Sequence, residues 1–206
     1  MARSEAGIMS GRFVFPAMVL TLLAVSGGCR SAGTSGSPVV RDAQSAPEVA
    51  GLTAGEAFSL GNEARNPDEQ IRYYTRVVQL EPGNARAYHN RGISWKKKGK
   101  LGNAIADFNR AIELKPDYAV AYYNRGNAWY DKYSFTHARA DYDKAIELKP
   151  DFAEAYCNRS RIWYRKKEYL QALDDMEKAL ALRPDDRTYR ETVAHIQGRL
   201  SIQQNR

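Results

Sequence analysis

Cysteine is nearly absent from this chain, with only Cys29 and Cys157 in 206 residues. Cys29 lies in the leader region and Cys157 falls in a helical pattern with no evident partner, so no disulfide framework is available. The three histidines, His89, His137 and His195, stand in separate elements. They lack HExxH spacing and a cysteine cluster, which leaves no metal set. The glycines form neither a phosphate-cradling loop nor a nucleophile elbow. The carboxylates are scattered along helix surfaces and in loops after prolines, as solvated charges are. The sequence therefore predicts no enzyme, no cofactor and no metal. Long apolar runs are missing too, since Phe13–Val25 is too short to span a membrane comfortably.

What is present in quantity is repetition. The triplets Asn90-Arg91-Gly92, Asn124-Arg125-Gly126 and Asn158-Arg159-Ser160 recur every 34 positions. Their surroundings recur with them: "AYHNRGISWKKKGK", "AYYNRGNAWYDKYS" and "AYCNRSRIWYRKKE" lead into "AIADFNRAIELKPD", "ARADYDKAIELKPD" and "ALDDMEKALALRPD". Within one copy, Tyr122, Arg125, Gly126 and Trp129 share helical spacing, as do Ala138, Tyr142 and Ala145, so each copy is two amphipathic helices. Gly99-Lys100 and Tyr133-Ser134 fall between the two helices, and Pro116, Pro150 and Pro184 stop the second.

This unit resembles the tetratricopeptide (TPR) repeat, a helix-turn-helix of about 34 residues. The family's aromatic, small, aromatic, Ala, aromatic, Ala and Pro positions are met at 85–118 by Tyr88, Gly92, Trp95, Ala104, Phe108, Ala111 and Pro116. At 119–152 they are Tyr122, Gly126, Trp129, Ala138, Tyr142, Ala145 and Pro150. At 153–186 they are Tyr156, Ser160, Trp163, Ala172, Met176, Ala179 and Pro184, with Ser160 and Met176 as mild departures. A degenerate copy occupies 54–84, where Gly61, Tyr74, Val77 and Pro82 hold the register. In that copy the turn at Asn66-Pro67-Asp68 reads three residues shorter and Gln70 replaces Ala. Residues 187–206 place Tyr189, Val193, Ile196 and Leu200 on one face, which suits a capping helix and tail. The resemblance implies an all-α solenoid of about four repeats plus this cap.

Before the repeats, Arg12 precedes the short apolar run, which ends in small residues, and residues 1–28 read as a cleaved export signal, with Met9 an alternative start. "VSGGC" resembles the bacterial lipobox, which implies a lipoprotein with a diacylated, palmitate-bearing Cys29. Ser26 stands where that motif prefers Leu, while Gly27 and Gly28 fit. Ordinary secretion with cleavage near Gly28 or Ala32, or an uncleaved anchor, are the alternatives. Arg30, rather than Asp, implies the outer membrane by similarity to enterobacterial sorting. Residues 29–53 are rich in Ser, Gly, Ala and Pro, the composition of a flexible tether.

The recurring triplet divides into three roles. Gly92, Gly126 and Ser160 sit where, in the family, the two helices press together. Arg91, Arg125 and Arg159 are matched sixteen residues on by Asp107, Asp141 and Asp175, while the degenerate copy has Leu60 and Tyr73. This exchange of Leu with Tyr for Arg with Asp predicts an ion pair inside each of the last three repeats, with independent solvated charges as the alternative. Asn90, Asn124 and Asn158 fall on the side that lines the inner curve of such stacks. There, a ladder of amides could pair with an extended peptide backbone, or it could satisfy polar groups between neighbouring helices. The other inner positions, Arg86, His89, Lys96, Lys97, Tyr123, Asn127, Tyr130, Asp131, Arg161, Tyr164 and Arg165, are mostly basic and aromatic. That set, with a net charge of +7, predicts an acidic peptide, a carboxylate terminus or another polyanion as partner. No nucleic-acid motif is present. The sequence as a whole is read as a noncatalytic adaptor of the bacterial envelope, with homo-oligomerisation or polyanion binding as the alternatives.

Overall fold

The computed structural model of the protein describes residues 49–205. The expected signal segment, Cys29 and the expected tether as far as residue 48 lie outside the described residues. Among the described residues nine α-helices follow one another: α1 (Ala54–Glu63), α2 (Pro67–Leu80), α3 (Ala85–Lys97), α4 (Leu101–Leu114), α5 (Ala119–Asp131), α6 (Phe135–Leu148), α7 (Ala153–Arg165), α8 (Tyr169–Leu182) and α9 (Arg187–Gln204). Odd and even helices pair as hairpins, each even helix also packs on the next odd one, and α9 closes the series on α8. Among the described residues there is no strand, and no helix is long and apolar enough to cross a membrane.

Local chemistry sets the helix ends. The even helices α2, α4, α6 and α8 end at Leu80, Leu114, Leu148 and Leu182, each two residues before a proline that cannot continue the helix. Side-chain caps occur only towards the two ends of the series. Thr53 and Glu56 form a capping box on α1, Asn66 and Asn84 cap α2 and α3, and Asp186 caps α9. Helices α4 to α8 have no side-chain cap, so their stability rests on packing.

That packing is organised by one close approach. A Cβ built on Gly61, Gly92 or Gly126 would lie 2.7 Å from the ring of Tyr74, Phe108 or Tyr142 respectively. The odd-helix backbone therefore rests directly on the even-helix ring, and Phe108 and Tyr142 are almost completely buried. In the last repeat Ser160 carries a Cβ and the ring is replaced by Met176, a flexible side chain that can yield. The two departures from the repeat pattern are the two sides of one adjustment.

Two expectations are corrected. The degenerate repeat does not have a shorter turn: Ala64–Asn66 spans three residues, as does 98–100. The deletion instead removes the last turn of the odd helix, since α1 has 10 residues where α3 has 13. A loss of three is close to one helical turn, so the register survives. Gln70 exploits the freed space, donating from Nε2 to the carbonyl of Ala64 at 2.8 Å and accepting from Ser94 Oγ at 2.8 Å. The tether is expected to run to residue 53, but Val49–Gly51 forms a 3-10 turn, and the Leu52 carbonyl accepts from Arg76 Nε at 3.1 Å.

Glycine 126 gives a test. Gly126→Ala should lower stability by about 1–2 kcal/mol, because ring overlap outweighs the gain of about 1 kcal/mol from helix propensity. Tyr142→Met should offset that loss in a double-mutant cycle measured by urea unfolding. Additive effects of the two changes would show that the contact does not set the spacing.

Candidate binding groove

Arginine stands seventh in each of the last three repeats, and the structure gives it the same surroundings every time. Arg91 Nε and Nη2 reach Asp107 at 2.8 and 2.7 Å, a two-point pairing. Arg125 holds Asp141 at 2.8 and 2.6 Å, and Arg159 holds Asp175 at 2.8 and 2.6 Å. The remaining Nη1 reaches back to the preceding repeat, to Thr75 at 3.2 Å, Asn109 at 2.7 Å and Asp143 at 2.7 Å. Each guanidinium also lies over the aromatic side chain three residues before it, Tyr88, Tyr122 or Tyr156. The paired carboxylates are buried, and Trp163 Nε1 adds a bond to Asp175 at 3.1 Å. Its hydrogen bond to Asp175 is the main cause that pushes the Arg159 pKa up. The backward reach to the preceding repeat is a contact that the pairwise sequence pattern did not reveal.

The asparagines also work inwards. Asn158 Nδ2 donates to Asn127 Oδ1 at 2.8 Å and to Tyr123 Oη at 3.2 Å, and Tyr142 Oη donates to the same Asn127 oxygen at 2.8 Å. Asn90 Nδ2 approaches Asn62 Oδ1 and Tyr74 Oη at 3.4 Å, and Tyr74 in turn donates to Asn62 at 2.9 Å. Between these two triads Phe108 has no hydroxyl, and Asn124 Nδ2 turns to His89 Nε2 at 2.9 Å. Each amide thus bridges to the odd helix of the previous repeat, so every Nδ2 of the ladder has at least one acceptor within the protein.

His89 itself is buried rather than lining an open groove. An amide NH2 on Nε2 can only donate, which assigns the ring proton to Nδ1, facing Asn90 Oδ1 at 3.1 Å and Tyr118 Oη at 3.3 Å. Burial is the main force that pushes its pKa below the ordinary 6.5, opposed by the bond to Asn90.

The basic positions separate. Arg86 is exposed and lies over Phe58, Lys96 pairs with Asp131 at 2.8 Å, and Lys97 is exposed. Lys98 pairs with Asp68, so part of the lysine-rich turn is neutralised internally. Tyr123 is packed between Tyr142 and Phe152, while Asn127 is held by the triad above. Tyr130, Arg161, Tyr164 and Arg165, by contrast, line one cavity of about 210 Å³, joined by Ser160 and by Thr192, His195 and Ile196 of α9. The contribution of α9 was missed in the sequence, although its signal was there: His195 follows Arg161 by 34 residues, so α9 continues the odd-helix register.

Two changes test these contacts. Asp141→Asn should cost about 2–3 kcal/mol in urea unfolding, because it strips the charge from a buried partner of Arg125. A loss below about 0.5 kcal/mol would reduce the pair to a surface contact. For His89, the unfolded chain takes up a proton near 6.5 that the folded chain resists. Stability is therefore full above that pH and falls as pH drops through 6.5 towards the lower folded value. His89→Gln should flatten this slope, and an unchanged slope would assign it elsewhere.

Family models match the same segments. A TPR repeat model covers residues 95–132, and a tetratricopeptide repeat model covers 119–152 and 153–186. No curated protein matches the sequence. Among solved structures, MamA superposes with a TM-score of 0.66 at 21% identity, over 74% of this chain and 85% of that one. MamA from Desulfovibrio magneticus RS-1 gives 0.66 at 18% identity, over 72% and 85%. The first TPR of Spaghetti (RPAP3) bound to the HSP90 peptide SRMEEVD gives 0.55 at 24% identity, over 57% and 93%. At these identities the likeness is one of fold. With the repeat matches, it shows that the chain carries tetratricopeptide repeats in a solenoid fold.

Proposed function

We propose that the protein is a noncatalytic adaptor that holds a peptide or partner helix along the odd helices, anchored to a bacterial envelope membrane through a lipid on Cys29. The observation that carries the binding reading is the cavity between α5, α7 and α9, where exposed Arg161 and Arg165 and half-buried Tyr130 and Tyr164 meet. Concave, aromatic-lined sites with a few polar groups are where ligands settle. A solved TPR of similar fold is bound to a peptide, which supports the same use here. The lipid anchor is supported by the position of Cys29 after a signal-like apolar run and before a tether-like segment. A soluble exported form is the alternative location. End-to-end self-association is disfavoured by α9, whose outward residues include Arg187, Arg190, Glu191 and Gln197.

Photo-crosslinking in the native host tests both parts. With a photoreactive residue at Tyr130 or Tyr164, a partner should be captured that a probe at exposed Lys178 on α8 does not capture. Equal capture from all three positions would defeat groove binding. In the same cells, labelled palmitate should enter the protein and be lost in Cys29→Ala, which should also leave the membrane fraction. Unlabelled protein, or labelling that survives the change, would defeat the anchor.

A further inference from the structure

The turns of the solenoid fall at two edges. Odd helices end and even helices begin at one of them, and the chain returns at the other. The turns within pairs, 64–66, 98–100, 132–134 and 166–168, carry Arg65, Lys98, Lys100, Lys132, Lys166 and Lys167 against the single carboxylate of Glu168. The turns between pairs, 81–84, 115–118, 149–152 and 183–186, carry Lys115, Lys149 and Arg183 against a larger number of aspartates and glutamates. At the basic edge Lys98 is held by Asp68. Arg65, Lys100, Lys132, Lys166 and Lys167 are exposed and form no ion pair among the described residues. Helix ends account for part of this charge, since a lysine just past an odd helix meets its negative pole. They do not account for Lys100, which stands at the N-cap of α4, where the pole is positive, and supplies no cap.

The middle position of these turns is a second anomaly. Gly99, Tyr133 and Lys167 occupy it at intervals of 34 residues, with φ of 70°, 60° and 62°. This is the left-handed region, where glycine is at ease and a residue with a side chain is strained. The core does not hold Tyr133 there. Its side chain is 76% exposed and meets Phe135 edge-on, with 6.2 Å between ring centres. A conformation that costs stability thus presents a phenol ring and an ammonium to solvent, among unpaired cations. Lysines around a projecting tyrosine suit a bilayer surface, where phosphates attract the cations and an amphipathic ring seats among headgroups. An acidic polymer would be held by the charge alone and would leave the ring without use.

We propose that the edge formed by the within-pair turns is a docking surface for anionic lipid headgroups, with Lys100, Lys132, Lys166 and Lys167 meeting phosphates and Tyr133 seated among them. The proposal goes beyond the adaptor reading and takes from it only that a membrane is near. It fixes an orientation. Helices run from edge to edge, so they would stand on the bilayer, about 20 Å tall for the 13 residues of an odd helix. The chain enters α1 at the opposite edge, so headgroup docking and a lipid on Cys29 would hold the domain at two separate points.

The test is sedimentation of the full chain with vesicles of phosphatidylcholine alone or mixed with phosphatidylglycerol. Binding should require phosphatidylglycerol and weaken as salt rises. Two triple variants, checked for folding by circular dichroism, remove the same charge from opposite edges. K100Q/K132Q/K166Q should bind more weakly by on the order of tenfold or more, while K115Q/K149Q/R183Q should bind nearly as the unaltered chain does. Tyr133→Gly should weaken binding while its stability in urea stays equal or rises, because glycine relieves the left-handed strain. Lower stability with unchanged binding would make the ring structural and overturn the proposal. Equal losses in the two triple variants would reduce the effect to net charge and overturn it too, as would binding indifferent to phosphatidylglycerol. Displacement from vesicles by polyglutamate, with Tyr133→Gly silent, would assign the edge to a soluble polyanion instead. The expected pattern in a protein that takes up no palmitate leaves docking intact and removes only the anchor. Palmitate-labelled protein whose two triple variants bind alike does the reverse.

Discussion

The distance between a glycine backbone and an aromatic ring governs this molecule. Where Gly61, Gly92 and Gly126 meet Tyr74, Phe108 and Tyr142, the helices approach as closely as main chain allows. Beside it, an arginine of one helix reaches an aspartate of the other sixteen residues later. Protein interiors are packed too densely for one helix pair to shift without its neighbours. The last repeat shows the rule by its exception, since a Cβ is admitted where the rigid ring has become methionine.

Polar groups in this fold divide between joining repeats and meeting a ligand. The asparagine amides, the Tyr74 and Tyr142 hydroxyls and His89 form short chains of hydrogen bonds between successive odd helices. Such groups are costly to bury unpaired, so the chains are complete where rings carry hydroxyls and rerouted where Phe108 does not. Part of the basic charge is neutralised internally, as Lys96 and Lys98 are matched by Asp131 and Asp68, while Arg161 and Arg165 at the capped end have no carboxylate partner among the described residues.

The repeat architecture was legible because its signals are local and multiplied: spacing, glycine, proline and aromatic positions recur in phase. The Arg–Asp relation was legible for a subtler reason, as two residue types exchanged together between copies. What escaped was whatever depended on a neighbour in space without a repeated cue. Gln70 looked like a bare substitution until the shortened α1 exposed the Ala64 carbonyl to it. His89 occupied an inner position by count, yet Tyr118, Asn90 and Asn124 enclose it. The amide rows could be assigned to ligand or to structure only once their partners were visible.

The arginine clamp has a direction. Each guanidinium binds one acceptor in its own repeat and another in the repeat before it, at Thr75, Asn109 or Asp143. Wherever the chain emerges from its N-terminus, from the ribosome or across a membrane, the earlier acceptor precedes its arginine, while the aspartate arrives sixteen residues later. A growing chain can therefore dock each first helix on finished structure before its own hairpin closes. The same bond that stiffens the mature solenoid would serve as a template for its vectorial assembly.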